Sequence, residues 1–335
     1  MKTVELGRTG EQVSALALGC MNMGTTTDEK SAGHMLDRFV DLGGTHLDTA
    51  NCYAWFNRRG STAGESEELL GRWFARTGKR DQVFVATKGS GLMTDFEAPW
   101  VDGHVDWSIA RRHFEGAGAQ TLRTALDGSL RRMGVDHIDL YYVHVDDRRT
   151  PLEETLEALA GFVQSGKVRH IGWSNVRTWR LERIRQLCLR NGWPAPVAVQ
   201  QAHTYLRPDP GVDTSSIVDF EQLDYLRDND DVTLVAYSPI LKGVYDDPHR
   251  RADHWVMSEY RSADSQARIA ELVAVAAEVG ATPNQTVLAW MLHQTDPVRV
   301  PLIGPRTVEQ FEDLLPALDV KLTEEQLTRL DVAGA

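Results

Sequence analysis

Residues 138–145 read IDLYYVHV, an almost continuously apolar run with a histidine near its end. A run this short and this apolar is typical of a strand buried on both faces, as in a parallel sheet. Similar runs recur along the chain, and helical patterns such as ESEELLGRWFA and LEETLEALAGFVQSGK separate them. The other runs are ALALGC (15–20), THLDTA (45–50), VFVATKG (83–89), VRHIGWSN (168–175), VAVQQAH (197–203), VTLVAYSPI (232–240) and VRVPLIG (298–304). Eight strands alternating with helices predict an α/β fold, a (β/α)8 TIM barrel, which we interpret as one domain over residues 1–335.

The segments that flank these strands carry turn and helix-start signals. The opening stretch KTVELGRTGEQVS predicts an N-terminal β-hairpin that turns near Thr9-Gly10 and covers the barrel floor. Capping boxes, in which a threonine is followed three positions later by glutamate or glutamine, predict helix starts. They begin at Thr150, Thr282, Thr307 and Thr323. The last box follows the eighth strand and its helix, so it predicts an extra C-terminal helix outside the barrel.

A doubly wound sheet with a second domain is the competing architecture. It requires a glycine-rich turn after its first strand. The nearest candidates, GSGLMT (89–94) and GAGAQT (116–121), lack the third glycine, and the second does not directly follow a strand. The sequence therefore favours the barrel.

Composition and charge exclude several classes of protein. The 335-residue chain has a net charge of −12, whereas recognition of nucleic acid needs a basic face. Its three cysteines are too scattered for a disulfide framework or a zinc knuckle. The sequence has neither an apolar signal segment in MKTVELGRTGEQ nor an apolar run of membrane-spanning length. We therefore expect a cytoplasmic protein with no nucleic-acid or membrane partner, and the oligomeric state stays open.

Polar side chains stand where the predicted strands end, at the end of a parallel barrel that carries functional residues. Asp48 and Tyr53 follow the second strand, Lys88 ends the third and His144 ends the fourth. Taken singly, such residues are more often turn, cap, solvated or structural residues than functional ones. Lys88 differs because it lies inside VFVATKG, where an ammonium group needs a buried partner, and Asp48 is one strand away. Later strand ends add Ser174, Asn175, Gln201 and Tyr237.

These residue types suit proton transfer to a carbonyl group. A lysine ammonium beside Tyr53 is expected to stabilise the phenolate and to lower a pKa that starts near about 10. Such a tyrosine can donate a proton to a substrate oxygen and take it back in the reverse direction. Asp48 would fix the lysine, and His144 would orient the carbonyl. The sequence shows no activated nucleophile and no metal-ligand cluster. The residue set therefore suits proton transfer to a carbonyl, and the hydride that reduction also requires must come from elsewhere.

The same stretches carry a resemblance to a known family. HLDTANCY (46–53) resembles the DTAxxY signature of aldo-keto reductases, VATKG (85–89) their lysine strand and YYVHVDD (141–147) their histidine strand. Later blocks are similar to the family in the right order. They are GWSN (172–175), VQQAH (199–203), AYSPI (236–240) and PLIGPRTVEQFEDL (301–314). The resemblance spans nearly the whole chain and implies a barrel that binds NADP(H) in extended form without a Rossmann domain.

The resemblance also implies roles for individual residues. Asp48, Tyr53, Lys88 and His144 match the catalytic tetrad, and no metal is implied. Ser174 and Asn175, with Gln201 beside them, match residues that hold the nicotinamide carboxamide, and Tyr237 matches the aromatic residue that stacks on the ring. The remaining cofactor contacts implied are Cys20 and Met21 near the nicotinamide ribose, Asp48, the pyrophosphate loop Ser238, Pro239, Ile240 and Leu241, and Gly304, Arg306, Gln310 and Asp313 in the final block.

The final block has a physical interpretation of its own. Gly304 permits a close backbone approach, and Arg306 precedes a helix that Thr307 is expected to cap. A helix N-terminus with an adjoining arginine is suited to phosphate. Arg306 is therefore expected to favour a 2′-phosphate, and so NADPH over NADH. The alternative is a surface arginine beside an ordinary helix start.

The sequence departs from the family pattern at three places. Asp313-Leu314 stands where the family usually ends its adenine block with asparagine after an acidic residue. Gln310 stands where some members place an arginine, and Trp173 replaces a smaller apolar residue in GWSN. The first two departures leave the adenosine contacts and the strength of the NADP preference open.

Loops choose the substrate in a barrel of this kind. Residues 54–64 carry Trp55 and Phe56 directly after Tyr53, and residues 90–118 carry Phe96, Trp100 and Trp107. We expect these aromatics to form an apolar mouth for bulky or ring-bearing carbonyl compounds. The alternative, that they only anchor long loops, is open. A further insertion, residues 241–264, has weak patterning, and we expect it to fold over the pyrophosphate.

The resemblance implies an NADPH-dependent oxidoreductase that reduces an aldehyde or ketone, or oxidises the alcohol in the reverse direction. A rival from another class is a cofactor-binding regulatory subunit similar to the potassium-channel β-subunits, which turn over slowly. In those proteins the histidine of the YYVHVDD block is replaced, so His144 favours the enzyme. A metal-dependent barrel hydrolase would need a cluster of histidine and acidic ligands at the strand ends, which the sequence lacks.

Overall fold

Eight parallel strands close into a barrel in the computed structural model, which describes residues 1–334. The strands are β1 (Thr3–Glu5), β2 (Gln12–Ser14), β3 (Ala17–Gly19), β4 (His46–Asp48), β5 (Phe84–Gly89), β6 (Trp100–Val101), β7 (His104–Val105), β8 (Ile138–Val143), β9 (Val168–Ser174), β10 (Ala198–Ala202), β11 (Thr233–Tyr237) and β12 (Arg299–Ile303). The barrel order is β3, β4, β5, β8, β9, β10, β11, β12, and β12 pairs with β3 to close it. The (β/α)8 barrel predicted from the apolar runs is therefore confirmed.

Helices surround the barrel and also lie within its long loops. They are α1 (Glu29–Asp41), α2 (Glu65–Thr77), α3 (Trp107–Ala110), α4 (Ala119–Met133), α5 (Leu152–Gln164), α6 (Thr178–Asn191), α7 (Phe220–Asp228), α8 (Pro248–Asp253), α9 (Ala263–Val279), α10 (Pro283–Leu292), α11 (Val308–Leu314) and α12 (Glu324–Val332). Helix α2 is amphipathic, because its buried residues Leu69, Leu70, Trp73 and Phe74 recur at helical spacing. Among residues 1–334, none of the helices has the length and hydropathy that crossing a bilayer requires.

Strands β4, β5 and β8 form the side of the barrel that positions most of the candidate site. Every residue of β5 and β8 is buried, as their continuous apolar runs predicted. In register, Lys88 lies opposite Tyr142 on β8, and Asp48 on β4 lies opposite Ala86. Because the strands are parallel, their C-terminal ends deliver side chains to the same end of the barrel.

The predicted N-terminal hairpin is present and packs into the opposite end. Strands β1 and β2 pair antiparallel, and Leu6 and Val13 join the cluster of apolar side chains inside the barrel. The Gly7 amide donates a 2.6 Å hydrogen bond to Thr233 Oγ1 at the start of β11. Gly7 has a φ of +56°, and a Cβ there would lie 2.4 Å from the Asp231 carbonyl oxygen. The hairpin therefore covers the barrel floor and needs glycine where it docks.

Two of the four predicted capping boxes form in full. Thr282 and Thr323 each accept from the third helical amide, and the glutamine at that position bonds back. The box predicted at Thr150 is wrong: the Thr150 hydroxyl donates to Asp147 Oδ2 at 2.8 Å, and α5 begins without a side-chain cap. At Thr307 half of the box forms, because the side chain of Gln310 accepts from the Arg306 amide instead.

The extra C-terminal helix predicted from Thr323 is α12, and it packs outside the barrel. The Leu330 carbonyl accepts from the Tyr205 hydroxyl at 2.9 Å, and Asp331 accepts from Trp290 Nε1 at 2.7 Å. Arg329 adds bonds to Glu271 and Glu278 on α9. Helix α12 therefore ties α9 and α10 together.

Candidate active site

Asp48, Lys88 and His144 reach one end of the barrel because they stand at the ends of adjacent strands. Asp48 is the last residue of β4, Lys88 is the next-to-last residue of β5, and His144 directly follows β8. Tyr53 lies in the loop after β4. The structure therefore brings together the four side chains that the sequence singled out.

The ammonium group of Lys88 is fully buried, and each of its three protons has an acceptor. Nζ donates to Asp48 Oδ1 at 2.5 Å, to the Thr49 carbonyl at 2.7 Å and to Tyr53 Oη at 3.3 Å. Burying an unpaired ammonium is costly, whereas this geometry compensates the lost hydration. The ion pair thus places a positive charge beside a phenol.

Asp48 is held from a second direction by a residue that the sequence did not single out. Gln200 Nε2 donates to Asp48 Oδ2 at 2.8 Å from across the barrel. The resemblance named the next residue, Gln201, as a neighbour of the carboxamide contacts, and in the structure the Gln201 side chain bonds the Val176 amide and carbonyl. Neighbouring strand residues point to opposite faces, so only one of the two glutamines could face the barrel interior.

The environment of Tyr53 corrects the expectation that its pKa is lowered. Burial, followed by the negative charge of Asp48, raises the pKa of Tyr53 well above its usual value of 10.0. The prediction was wrong because the phenol is out of water and lies close to the negative charge of Asp48. Tyr53 is therefore a protonated phenol at neutral pH, the form that donates a proton.

His144 lies beside Tyr53 as a neutral imidazole. The two rings meet edge to face, with centroids 5.6 Å apart. Burial, and then the charge of Lys88, lowers the pKa of His144 well below its usual 6.5. Nδ1 lies 3.3 Å from Cys52 Sγ, and a Cβ on Gly91 would lie 3.0 Å from the same nitrogen. Glycine at position 91 thus leaves room for the ring.

Ser174 and Asn175, which the resemblance implies hold the nicotinamide carboxamide, connect the ends of four strands. Ser174 Oγ donates to the Gln200 carbonyl at 2.8 Å. Asn175 Nδ2 donates to the His144 carbonyl at 2.8 Å, and Asn175 Oδ1 accepts from the Tyr237 hydroxyl at 2.9 Å. Asn175 therefore fixes the backbone of His144 and the ring of Tyr237 relative to each other.

A cavity of about 290 Å³ opens beside this network. It is lined by Tyr237, Ser238, Leu241, Lys242, Trp255 and Arg111, among others. Three of these lining residues, Ser238, Leu241 and Lys242, adopt left-handed backbone conformations with φ of 56°, 45° and 59°. Such conformations are strained for non-glycine residues and cluster at functional sites. Of the predicted pyrophosphate loop, Ser238 and Leu241 face the cavity, whereas the Pro239 carbonyl accepts from Thr204 and Ile240 packs against the core.

Positive charge gathers next to this loop. The pKa of Lys242 is lowered by burial and then by the charges of Arg306 and Arg250. Among the ion pairs of residues 1–334, none joins these three cations to a carboxylate. The carboxylates of Asp213 and Glu259 also line the cavity, but the three cations form no ion pair with them. Cations without such a partner beside a strained loop are suited to an anionic group such as the phosphates of a dinucleotide. The residues present therefore fit the cofactor that the sequence implied.

The backbone around Arg306 is held so that its side chain is free to reach solvent. Its carbonyl accepts from Thr27 Oγ1 at 2.8 Å, its amide donates to Gln310 Oε1 at 2.9 Å, and the residue is exposed. A Cβ at Gly304 would meet nothing within 4 Å, so space is open there. Asp313 is exposed, and its carbonyl accepts from Gln285.

The backbone amide and carbonyl of Cys20 are both hydrogen-bonded within the protein. Its amide donates to the Asp48 carbonyl at 2.8 Å, and its carbonyl accepts from Ser66 Oγ at 2.8 Å. Of the two residues predicted to contact the cofactor through their backbone, Met21 is therefore more accessible than Cys20, because Met21 is only half-buried.

The aromatic residues of the two long loops form one cluster. Trp55 lies 5.8 Å from Phe56 and 5.9 Å from Trp107, measured between ring centroids. Trp55 is only 1% exposed, so its predicted part in the apolar mouth is wrong, and it anchors the loop instead. Phe56 lies edge to face with Tyr53 at 6.5 Å, and Trp107 is 48% exposed. These two rings supply the apolar surface next to Tyr53.

Comparison with known proteins agrees with this geometry. The model of the Aldo/keto reductase family matches residues 15–335. The chain belongs to the aldo/keto reductase family. It is 34% identical to the protein named "Uncharacterized oxidoreductase YrpG" from Bacillus subtilis (strain 168), over 99% of this chain and 95% of that protein.

Two named reductases are further relatives. Aldo-keto reductase yakc of Schizosaccharomyces pombe, whose name specifies NADP(+), is 29% identical over 94% of this chain and 86% of that protein. Versiconal hemiacetal acetate reductase of Aspergillus parasiticus is 26% identical over 99% of this chain and 96% of that protein. The chain is accordingly an oxidoreductase of a family that uses a nicotinamide cofactor on small-molecule substrates.

The structure also brings to the site two residues that sequence reasoning did not single out. Glu115, late in the segment 90–118, accepts at Oε1 from the Asn51 side chain and from the amides of Ser90 and Leu92. It thereby ties that segment to the loop that carries Tyr53. Lys242 was also missed, although its position beside the SPI block was a usable signal. In the part of the chain that the structure describes, no group of His, Cys, Asp and Glu side chains is arranged to hold a metal ion.

Proposed function

We propose that this aldo/keto reductase reduces an aldehyde or ketone with NADPH, with Tyr53 as the proton donor. The observation that carries the proposal is the buried Lys88–Asp48 ion pair, whose Nζ lies 3.3 Å from the Tyr53 hydroxyl. When bound, the cofactor supplies the hydride for the carbonyl carbon. The residues of the chain then have to bind the carbonyl, orient it and move one proton.

Each residue of the tetrad has a distinct part in that proton transfer. Tyr53 donates its proton to the carbonyl oxygen, and the ammonium of Lys88 stabilises the phenolate that remains. Asp48, which Gln200 also bonds, keeps Lys88 in place. The neutral ring of His144 donates a hydrogen bond to the same carbonyl oxygen. The tetrad also supports alcohol oxidation, in which the phenolate form of Tyr53 takes the proton back.

The cavity and the adjacent cations are the proposed cofactor site. Tyr237 would stack on the nicotinamide, and Asn175 and Ser174 would contact its carboxamide. The loop Ser238–Leu241 and Lys242 would lie along the pyrophosphate. Lys242 and Arg306 supply positive charge, and none of the ion pairs of residues 1–334 joins either of them to a carboxylate.

The proposed function is tested by following NADPH absorbance in the presence of aromatic aldehydes, aliphatic aldehydes and keto-sugars. Turnover of at least one class supports the reductase. Tight NADPH binding without turnover of any class would favour instead the regulatory subunit that resembles potassium-channel β-subunits.

Arg306 is expected to set the preference for NADPH. Replacing it in Arg306→Ala removes a charge-assisted contact to the 2′-phosphate, worth about 1.5–3 kcal/mol, so KM for NADPH should rise roughly ten- to a hundredfold. KM for NADH, which lacks that phosphate, should hardly change. Steady-state kinetics with both cofactors measure the difference. The control is Arg8→Ala, an exposed arginine of the N-terminal hairpin paired with Asp230. Equal effects of Arg306→Ala on the two cofactors would contradict the assignment.

Phe56 is expected to favour ring-bearing substrates. Removing its ring in Phe56→Ala should raise KM for aromatic aldehydes roughly two- to tenfold relative to aliphatic ones, since aromatic pairs contribute about 0.5–1.5 kcal/mol. The same panel of aldehydes measures the ratio. Phe220→Ala, which removes a 67% exposed ring on α7, serves as the control. An unchanged ratio in Phe56→Ala would show that the aromatic cluster only anchors its loops.

A further inference from the structure

Cys52, the residue before Tyr53, touches the ring of His144. Its Sγ lies 3.3 Å from His144 Nδ1, within hydrogen-bond range for sulfur. The side chain is only 4% exposed and packs among Ala50, Trp55, Met93 and Ala110. The thiol is therefore held against the imidazole by an apolar wall.

Both groups are neutral at neutral pH. Burial raises the pKa of the Cys52 thiol to about 12, and burial and Lys88 lower the pKa of His144. One hydrogen therefore lies between Sγ and Nδ1. An imidazole nitrogen without a proton is a good acceptor, whereas sulfur is a weak one, so the favoured arrangement is S–H donating to Nδ1.

We propose that Cys52 is a positioning residue that holds His144 in the tautomer with its proton on Nε2. The inference rests on the proposed function, because that proton is the one that would bond the substrate carbonyl. A tautomer with the proton on Nδ1 would present a lone pair to the carbonyl oxygen, and two acceptors repel. Cys52 thus determines whether His144 attracts or repels the substrate.

Other groups around His144 do not compete for this role. Asn175 Nδ2 is bonded to the His144 carbonyl, and Tyr53 meets the ring edge to face. Gly91 lies against Nδ1 but has no side chain. Among residues 1–334, the Cys52 thiol is the partner that the structure gives to the imidazole nitrogens.

The test combines nitrogen-15 NMR of the histidine side chains with kinetics, for wild type, Cys52→Val and Cys52→Ser. Valine keeps the apolar packing without a donor, and serine restores a donor. His144→Gln assigns the signal among the 11 histidines. Wild type and Cys52→Ser should show the Nε2–H signature at His144, whereas Cys52→Val should show a mixture of tautomers.

The kinetic expectation follows from the lost hydrogen bond. In Cys52→Val, kcat/KM for a carbonyl substrate should fall about tenfold, with NADPH affinity unchanged, and Cys52→Ser should recover most of the loss. Thermal melting identifies any variant that has not folded. If one of the two Cys52 variants does not fold, the tautomer and the kinetics of the other test the inference.

Two results would overturn the inference: a pure Nε2–H signature in Cys52→Val, or an Nδ1–H signature in wild type. Because the NMR signal does not depend on turnover, failure of the proposed reductase activity is distinguishable from failure of this assignment.

Discussion

Replacing Tyr53 by phenylalanine is expected to abolish carbonyl reduction while leaving NADPH binding intact. The variant removes only the hydroxyl that donates the proton, and general acid catalysis typically contributes about 10²–10⁴-fold. The ring remains edge to face with Phe56 and His144, so the pocket keeps its shape. Turnover is measured from NADPH absorbance and binding from the fluorescence of the bound cofactor.

The matched control is Tyr141→Phe. Tyr141 is also buried in the barrel wall, but among residues 1–334 its hydroxyl has no hydrogen-bond partner, and its ring packs against Phe162 outside the strands. This variant should retain wild-type turnover. If Tyr53→Phe turned over as fast as Tyr141→Phe, Tyr53 would not be the proton donor.

Removing Asp48 is expected to cause the largest loss of stability. Asp48→Ala would leave the fully buried ammonium of Lys88 without its counter-ion, and breaking a buried pair from one side typically costs about 3–5 kcal/mol. The free energy of unfolding is measured by urea denaturation. Carbonyl reduction should be lost as well, because Lys88 would no longer be fixed beside Tyr53.

An exposed ion pair supplies the control for Asp48. Lys167 and Asp127 are 46% and 49% exposed, and Asp127→Ala should cost at most about 1 kcal/mol. The double variant Asp48→Asn/Lys88→Met removes both charges and should recover part of the stability but none of the activity. Equal losses in Asp48→Ala and Asp127→Ala would contradict the role given to burial.

The barrel was predictable because its strands are buried on both faces. IDLYYVHV and VFVATKG are apolar throughout, so periodicity and length identify them without tertiary information. The capping boxes were less certain, because a hydroxyl takes whichever partner the fold brings near. Thr150 donates to Asp147, and Gln310 accepts from the Arg306 amide. The side chains of Thr282 and Thr323 instead make the bonds of a complete capping box.

The candidate site was predictable to the extent that strand ends determine it. Parallel strands place Asp48, Lys88 and His144 together by topology alone. The pKa of Tyr53 was not predictable, because it depends on burial and on how close the charge of Asp48 lies in the folded protein. Gln200 was not singled out and Trp55 was misplaced for a related reason: which of two neighbouring side chains faces the site depends on strand register and loop packing.

The most direct test of the central claim is a single-turnover reaction with NADPH carrying deuterium at the transferable position of nicotinamide C4. Enzyme, labelled cofactor and an aldehyde that the panel identifies as a substrate are mixed, and the alcohol is examined by mass spectrometry. We expect one deuterium on the former carbonyl carbon, and none of the labelled alcohol from Tyr53→Phe on the same timescale. Binding of NADPH without labelled alcohol from the wild-type protein would contradict the assignment of this site to carbonyl reduction.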